Sequence, residues 1–73
     1  MIVNGEQIEL SKLASPEISG LLGYYNLNKD RVAIEINGSI VKKSGYEKIS
    51  LVDTDKIEII HFVGGGAQWT QRR

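Results

Sequence analysis

The sequence predicts an α+β fold, a mixed β-sheet of four to five strands packed against one main α-helix. Three observations carry that expectation. Two Asn-Gly dipeptides, Asn4-Gly5 and Asn37-Gly38, each stand between short apolar stretches. One apolar stripe at helical spacing lies between them, at Ile18, Leu21, Leu22 and Tyr25. A last alternating run, Ile57 to Phe62, ends just before three consecutive glycines. So few elements bury their apolar faces best as two layers, a helix on a sheet.

The first element is a hairpin over Ile2 to Leu10. Asn and Gly both tolerate the positive φ that a type I′ turn demands. Ile8 and Leu10 alternate with Gln7 and Glu9, which reads as a half-buried second strand. Ser15-Pro16-Glu17 then reads as a helix start: Ser as N-cap, Pro at the first helical position, Glu at the positive end of the dipole. Gly20 and Gly23 each weaken this helix by roughly 1 kcal/mol relative to Ala, so packing must hold it. Leu27 is expected to tuck in behind it, and of the adjacent Tyr24 and Tyr25 one belongs in the core and one on the surface. Val32, Ile34 and Ile36 share one face of a strand that Asn37-Gly38 turns into a short partner ending near Val41. Lys42 to Lys48, with Gly45 and the isolated aromatic Tyr46, reads as a connection with one short helical turn. Ile49 and Leu51 anchor it before an acidic turn, Asp53-Thr54-Asp55. In the final strand Ile57 and Ile59 face one way, while Glu58, Ile60 and Phe62 face the other. This order, with a helix crossing over between the hairpin and a later strand, fits the β-grasp arrangement, in which the first and last strands lie parallel at the sheet's centre.

Composition sets bounds on function. At 73 residues the chain is one small domain near the lower limit of independent stability. It has no cysteine, so neither a disulfide nor a thiolate metal site supports it. Lys plus Arg and Asp plus Glu number 9 each, which argues against a non-specific nucleic-acid or membrane-surface binder. No apolar run approaches the roughly 20 residues that span a bilayer. Met1 leads straight into strand-like sequence without a signal-peptide pattern, so a cytoplasmic location is expected.

The chain divides into residues 1–63, the β-grasp domain, 64–66, a glycine tether, and 67–73, expected to be a flexible C-terminal extension. Glycine has no Cβ and lets backbone lie in a narrow channel. Behind a strand and near a chain end, Gly64-Gly65-Gly66 suits a tether that is threaded into another protein's active site. The four residues from Val63 to Gly66 would reach about 13 Å when extended.

Two stretches resemble the ThiS family, the ubiquitin-like sulfur carriers of thiamin biosynthesis. They are Arg31-Val32-Ala33-Ile34-Glu35-Ile36-Asn37-Gly38, and Asp53 through Gly66, which ends His61-Phe62-Val63-Gly64-Gly65-Gly66. The similarity runs from Ile2 to Gly66 and includes the Val3-Asn4-Gly5 turn. A diglycine alone is a weak signal; behind this strand order it is fairly specific. The resemblance implies a ubiquitin-like fold and a cycle of terminal chemistry. A partner adenylyltransferase of the ubiquitin-activating type uses ATP and Mg²⁺ to adenylate the terminal glycine carboxylate, here Gly66. A sulfur donor converts it to a thiocarboxylate, and thiazole synthase draws the sulfur off. The carrier binds no cofactor itself and supplies no catalytic residue; it is not an enzyme. Ile60 and Phe62, with Glu58 toward a basic partner, are the candidate docking surface.

The chain departs from the family pattern twice. Thr54 stands where the family has glycine in Asp-Gly-Asp, which is a compatible turn variant unless positive φ is required there. The chain also continues past Gly66 to Arg73, and a glycine carbonyl amide-bonded to Ala67 has no carboxylate to adenylate. Residues 67–73 are either a native precursor tail, of the kind that a JAMM-type zinc metalloprotease removes from some similar proteins, or an artefact, added residues or a misassigned chain end.

Other residues point nowhere sharper. His61 is the single histidine and has no second ligand at metal-binding spacing. Asp53 and Asp55 are turn acids rather than an acid–base pair, which would need a cleft and displaced pKa values. Trp69 with Arg72-Arg73 is weak ground for nucleic-acid contact. Alternative readings keep the fold and change the role: a carrier for molybdopterin or cysteine synthesis, a modifier joined to lysines, or an interaction module that carries no sulfur.

Overall fold

Both Asn-Gly dipeptides make the turns expected of them. Asn4 and Gly5 have φ of 49° and 82°, Asn37 and Gly38 of 52° and 90°, the positive values that a two-residue hairpin turn needs. Around the first, β1 (Ile2–Val3) pairs antiparallel with β2 (Glu6–Gln7); around the second, β3 (Val32–Ile36) pairs with β4 (Ser39–Val41). The second strand is shorter than its alternation suggests. Ile8 is buried but bonds back to Met1, its N–H donating to the Met1 carbonyl at 2.9 Å. Leu10 leaves the strand path altogether: it opens a single 3-10 turn, Leu10–Lys12, and its N–H goes to the Asp53 carboxylate at 3.3 Å.

The computed structural model describes residues 1–62 and 69–71. The main helix, α1 (Ile18–Tyr24), begins two residues later than its Ser-Pro-Glu signal implies. Glu17 is the cap residue, extended at φ −79° and ψ 169° and without a side-chain capping bond. The backbone before it is already used, because the Pro16 carbonyl accepts from Leu51 N at 2.8 Å and Glu17 bridges to Ser50. Gly20 has its own explanation. A Cβ there would collide with the carbonyl oxygen of Ser15, so the helix packs against its own lead-in only without a side chain.

β5 (Lys56–Phe62) runs through the middle of the sheet, in the order β2-β1-β5-β3-β4. It is parallel to β1, with Ile2 opposite Lys56 and Val3 opposite Ile57, and antiparallel to β3 over five register pairs. This is the β-grasp topology. The core lies between α1 and the inner face, where Ile18, Leu21, Ile34, Ile57 and Ile59 are all fully buried. Tyr25 and Leu27 pack against it and Tyr24 is exposed, as the apolar stripe implies. One expectation for the connection is corrected: Ile49, read as an anchor, is 40% exposed while Leu51 is buried, and Tyr46, to which the sequence assigned no place, is a core residue. Thr54 is not among the residues with positive φ, so it sits in its turn without strain.

A further strand, β6 (Trp69–Gln71), comes from the stretch expected to be a flexible extension. It pairs antiparallel with the end of β5, Ile60 opposite Gln71, His61 opposite Thr70 and Phe62 opposite Trp69. The physical reason is an open edge. β1 reaches only Lys56 and Ile57, and the Asn4 side chain takes Ile59, so His61 would otherwise present unpaired backbone on that side.

Candidate functional site

The site that the sequence singles out is the exit of β5. Strand alternation sends Ile57 and Ile59 into the core and Glu58, Ile60 and Phe62 to the face opposite α1, where all three are half-buried. Across the sheet, Ala33 stands opposite Ile60 and Glu35 opposite Glu58. Glu35, Gly38, Lys56 and Glu58 line a shallow open depression beside them. The three proposed docking residues therefore do lie on one face, apolar toward the chain exit and acidic one step back. The tether residues Gly64, Gly65 and Gly66 lie outside the described residues.

Two residues noticed only as turn formers hold β5 in place. Asn4 donates its own N–H to the Ile57 carbonyl at 2.9 Å, then continues the ladder with its side chain. Its Oδ1 accepts from Ile59 N at 2.7 Å and its Nδ2 donates to the Ile59 carbonyl at 3.2 Å. Asn37 grips the other end of the strand. Its N–H donates to the Lys56 carbonyl at 2.8 Å, its Oδ1 accepts from Lys56 N at 2.9 Å, and its Nδ2 donates to Asp55 at 3.0 Å. Asp55 also accepts from Val52 N at 2.9 Å and so braces the turn, whereas Asp53 ties it to Leu10 N. The two asparagines thereby hold β5 from its start to Ile59, and beyond that β3 pairs with it as far as His61.

Away from this face, the Asp30 carboxyl is held below its usual range by a hydrogen bond to Lys43, 2.8 Å away, and by that ammonium's charge. Burial pushes the Tyr46 phenol up. His61 is half-buried at the end of β5, with Val32 its partner on β3. Among the described residues, no three His, Cys, Asp or Glu side chains gather as a metal site. No helix among them is long and apolar enough to cross a membrane.

Comparison with known proteins places this geometry. The model of the ThiS family matches residues 1–66, ending at the last glycine. The sulfur carrier protein ThiS of Bacillus subtilis (strain 168) is 41% identical over 64 residues, covering 88% of this chain and 96% of that relative. A thiazole synthase of Paramagnetospirillum magneticum is 40% identical over 67 residues; the match takes in 92% of this chain but spans only 20% of that longer protein. Among solved structures, the thiamine biosynthesis protein (ThiS) from Geobacter metallireducens superposes with a TM-score of 0.70 at 26% identity, covering 89% of this chain and 96% of that one.

Proposed function

We propose that this chain, which belongs to the ThiS family, is a sulfur carrier of thiamin biosynthesis that bears its sulfur on the carboxylate of Gly66. It is a carrier and not an enzyme. The observation that carries the reading is the family match, which covers the whole described domain and stops at Gly66. Similarity to chains called thiazole synthase favours a thiazole synthase as the client over molybdopterin synthesis, cysteine synthesis or lysine conjugation.

The chemistry asks little of the carrier beyond presentation. A carboxylate is a poor electrophile. Attack of the Gly66 carboxylate on the α-phosphorus of ATP expels pyrophosphate and leaves an acyl-adenylate, whose AMP a sulfur nucleophile then displaces. ATP and Mg²⁺ belong to the partner, an adenylyltransferase of the ubiquitin-activating type. That enzyme docks on the outer face of β5 at Ile60 and Phe62, with Glu58 meeting a basic surface, while Gly64 and Gly65 thread a channel of glycine width. The peptide bond from Gly66 to Ala67 must first be hydrolysed, a step suited to a JAMM-type zinc metalloprotease.

The test is charging by the cognate activating enzyme, read by intact mass. A chain ending at Gly66 should form the adenylate with ATP and Mg²⁺, and the 73-residue chain should not. Gly65→Ala in the shorter chain should slow charging roughly 10- to 100-fold through misplacement of the carboxylate. Failure of the Gly66-ended chain to react would sink the reading.

A further inference from the structure

The edge of β5 that faces β1 is occupied residue by residue. Along a strand, alternate residues send N–H and C=O to the same edge. On this edge Asp55 accepts from Ile2 N at 3.0 Å and Ile57 from Asn4 N at 2.9 Å, and Ile59 is taken on both its groups by the Asn4 carboxamide. The next residue in the series is His61, and its register partner is Thr70 of β6. The alternation makes His61 and Thr70 the closely hydrogen-bonded pair. β6 thus takes up the edge at the first position that neither β1 nor the Asn4 side chain covers.

We propose that β6 is an autoinhibitory strand: docked at His61, with Trp69 beside Phe62, it excludes a partner that must take the end of β5 as a single extended chain, until the tail is displaced or cut away. The proposal rests on the carrier reading for its consequence. The chain leaves β5 at Phe62 and is back beside it at Trp69. Two strands side by side occupy about 5 Å more than one. A channel cut for one extended glycine chain, or a peptidase cleft that takes its substrate extended, therefore competes with the pairing of β6. Removal of residues 67–73 would then do two things, freeing the Gly66 carboxylate and releasing the strand that folds the chain end back.

Hydrogen exchange of single amides and cleavage by a non-specific endopeptidase of the subtilisin type test this on the 73-residue chain. Thr70→Pro removes the N–H that the pairing needs, in a segment beyond the family match, while Thr70→Val keeps a strand-forming residue. The Ile59 amide, held by Asn4, is the internal standard for an intact fold. Thr70→Pro should speed exchange at His61 about tenfold or more, with Ile59 unchanged, and should speed cleavage between Phe62 and Trp69 by a similar factor. Thr70→Val should match the parent on both. Equal His61 exchange in all three proteins would overturn the proposal. So would faster exchange with unchanged cleavage, because the pairing of β6 would then not govern access to the chain between Phe62 and Trp69. Neither readout involves sulfur, ATP or an activating enzyme, so failure here is distinguishable from failure of the carrier reading.

Discussion

Asn4 does two jobs with one residue. Its backbone takes the left-handed conformation of the first hairpin turn, and its side chain closes the ladder on Ile59. Removing a side chain that satisfies part-buried backbone groups costs about 1–3 kcal/mol. Asn4→Ala should therefore lower the unfolding free energy by that amount in urea denaturation. Asn4→Gly keeps the turn comfortable but also loses the clamp, so it should be destabilised too, by less than Ala. A neutral Asn4→Gly would mean that the carboxamide contributes nothing. The turn role was legible in the sequence, because Asn-Gly is a local signal. The clamp was not, since its partner lies 55 residues along the chain and only the parallel pairing of β1 with β5 brings the two together. Tyr46 was missed for the same reason: a polar neighbourhood hides an aromatic that tertiary packing buries.

At the scale of elements, the helix stripe was readable and the helix start was not. Ile18, Leu21 and Leu22 face the core as their spacing demands. The Ser-Pro-Glu signal failed because Pro16 and Glu17 bond across to Leu51 and Ser50, which holds Glu17 extended. Gly20 gives a sharp test of this geometry. On helix propensity alone, Gly20→Ala should stabilise by roughly 1 kcal/mol. In this protein the new methyl group overlaps the Ser15 carbonyl, and forcing extra volume into a packed site typically costs 1–3 kcal/mol. Thermal unfolding should show a net loss of stability for Gly20→Ala; a raised midpoint would contradict the close approach of Ser15 to the helix.

For the whole molecule, the sheet order follows from elements that the sequence displayed plainly: two Asn-Gly hairpins, one crossover helix and a long final strand whose two faces differ. The parallel union of β1 and β5 at the centre of the sheet was expected from that order and is observed. The alternation that buried Ile57 and Ile59 also set Glu58, Ile60 and Phe62 on the outer face, so that much of the candidate site was legible from period alone. β6 was not, because three residues beyond a glycine run carry no periodicity, and the edge that receives them exists only once β1 has stopped short on β5. On the proposed carrier reading the molecule is a platform: β5, held by Asn37 at its start and by Asn4 at Ile57 and Ile59, leads to the chain end that carries the sulfur. Intact mass spectrometry of the untagged protein from its native host, under demand for thiamin, tests that claim most directly. The expected result is a species ending at Gly66, with a fraction heavier by the sulfur-for-oxygen difference. A population wholly free of added sulfur, with Gly66 still joined to Ala67, would contradict it.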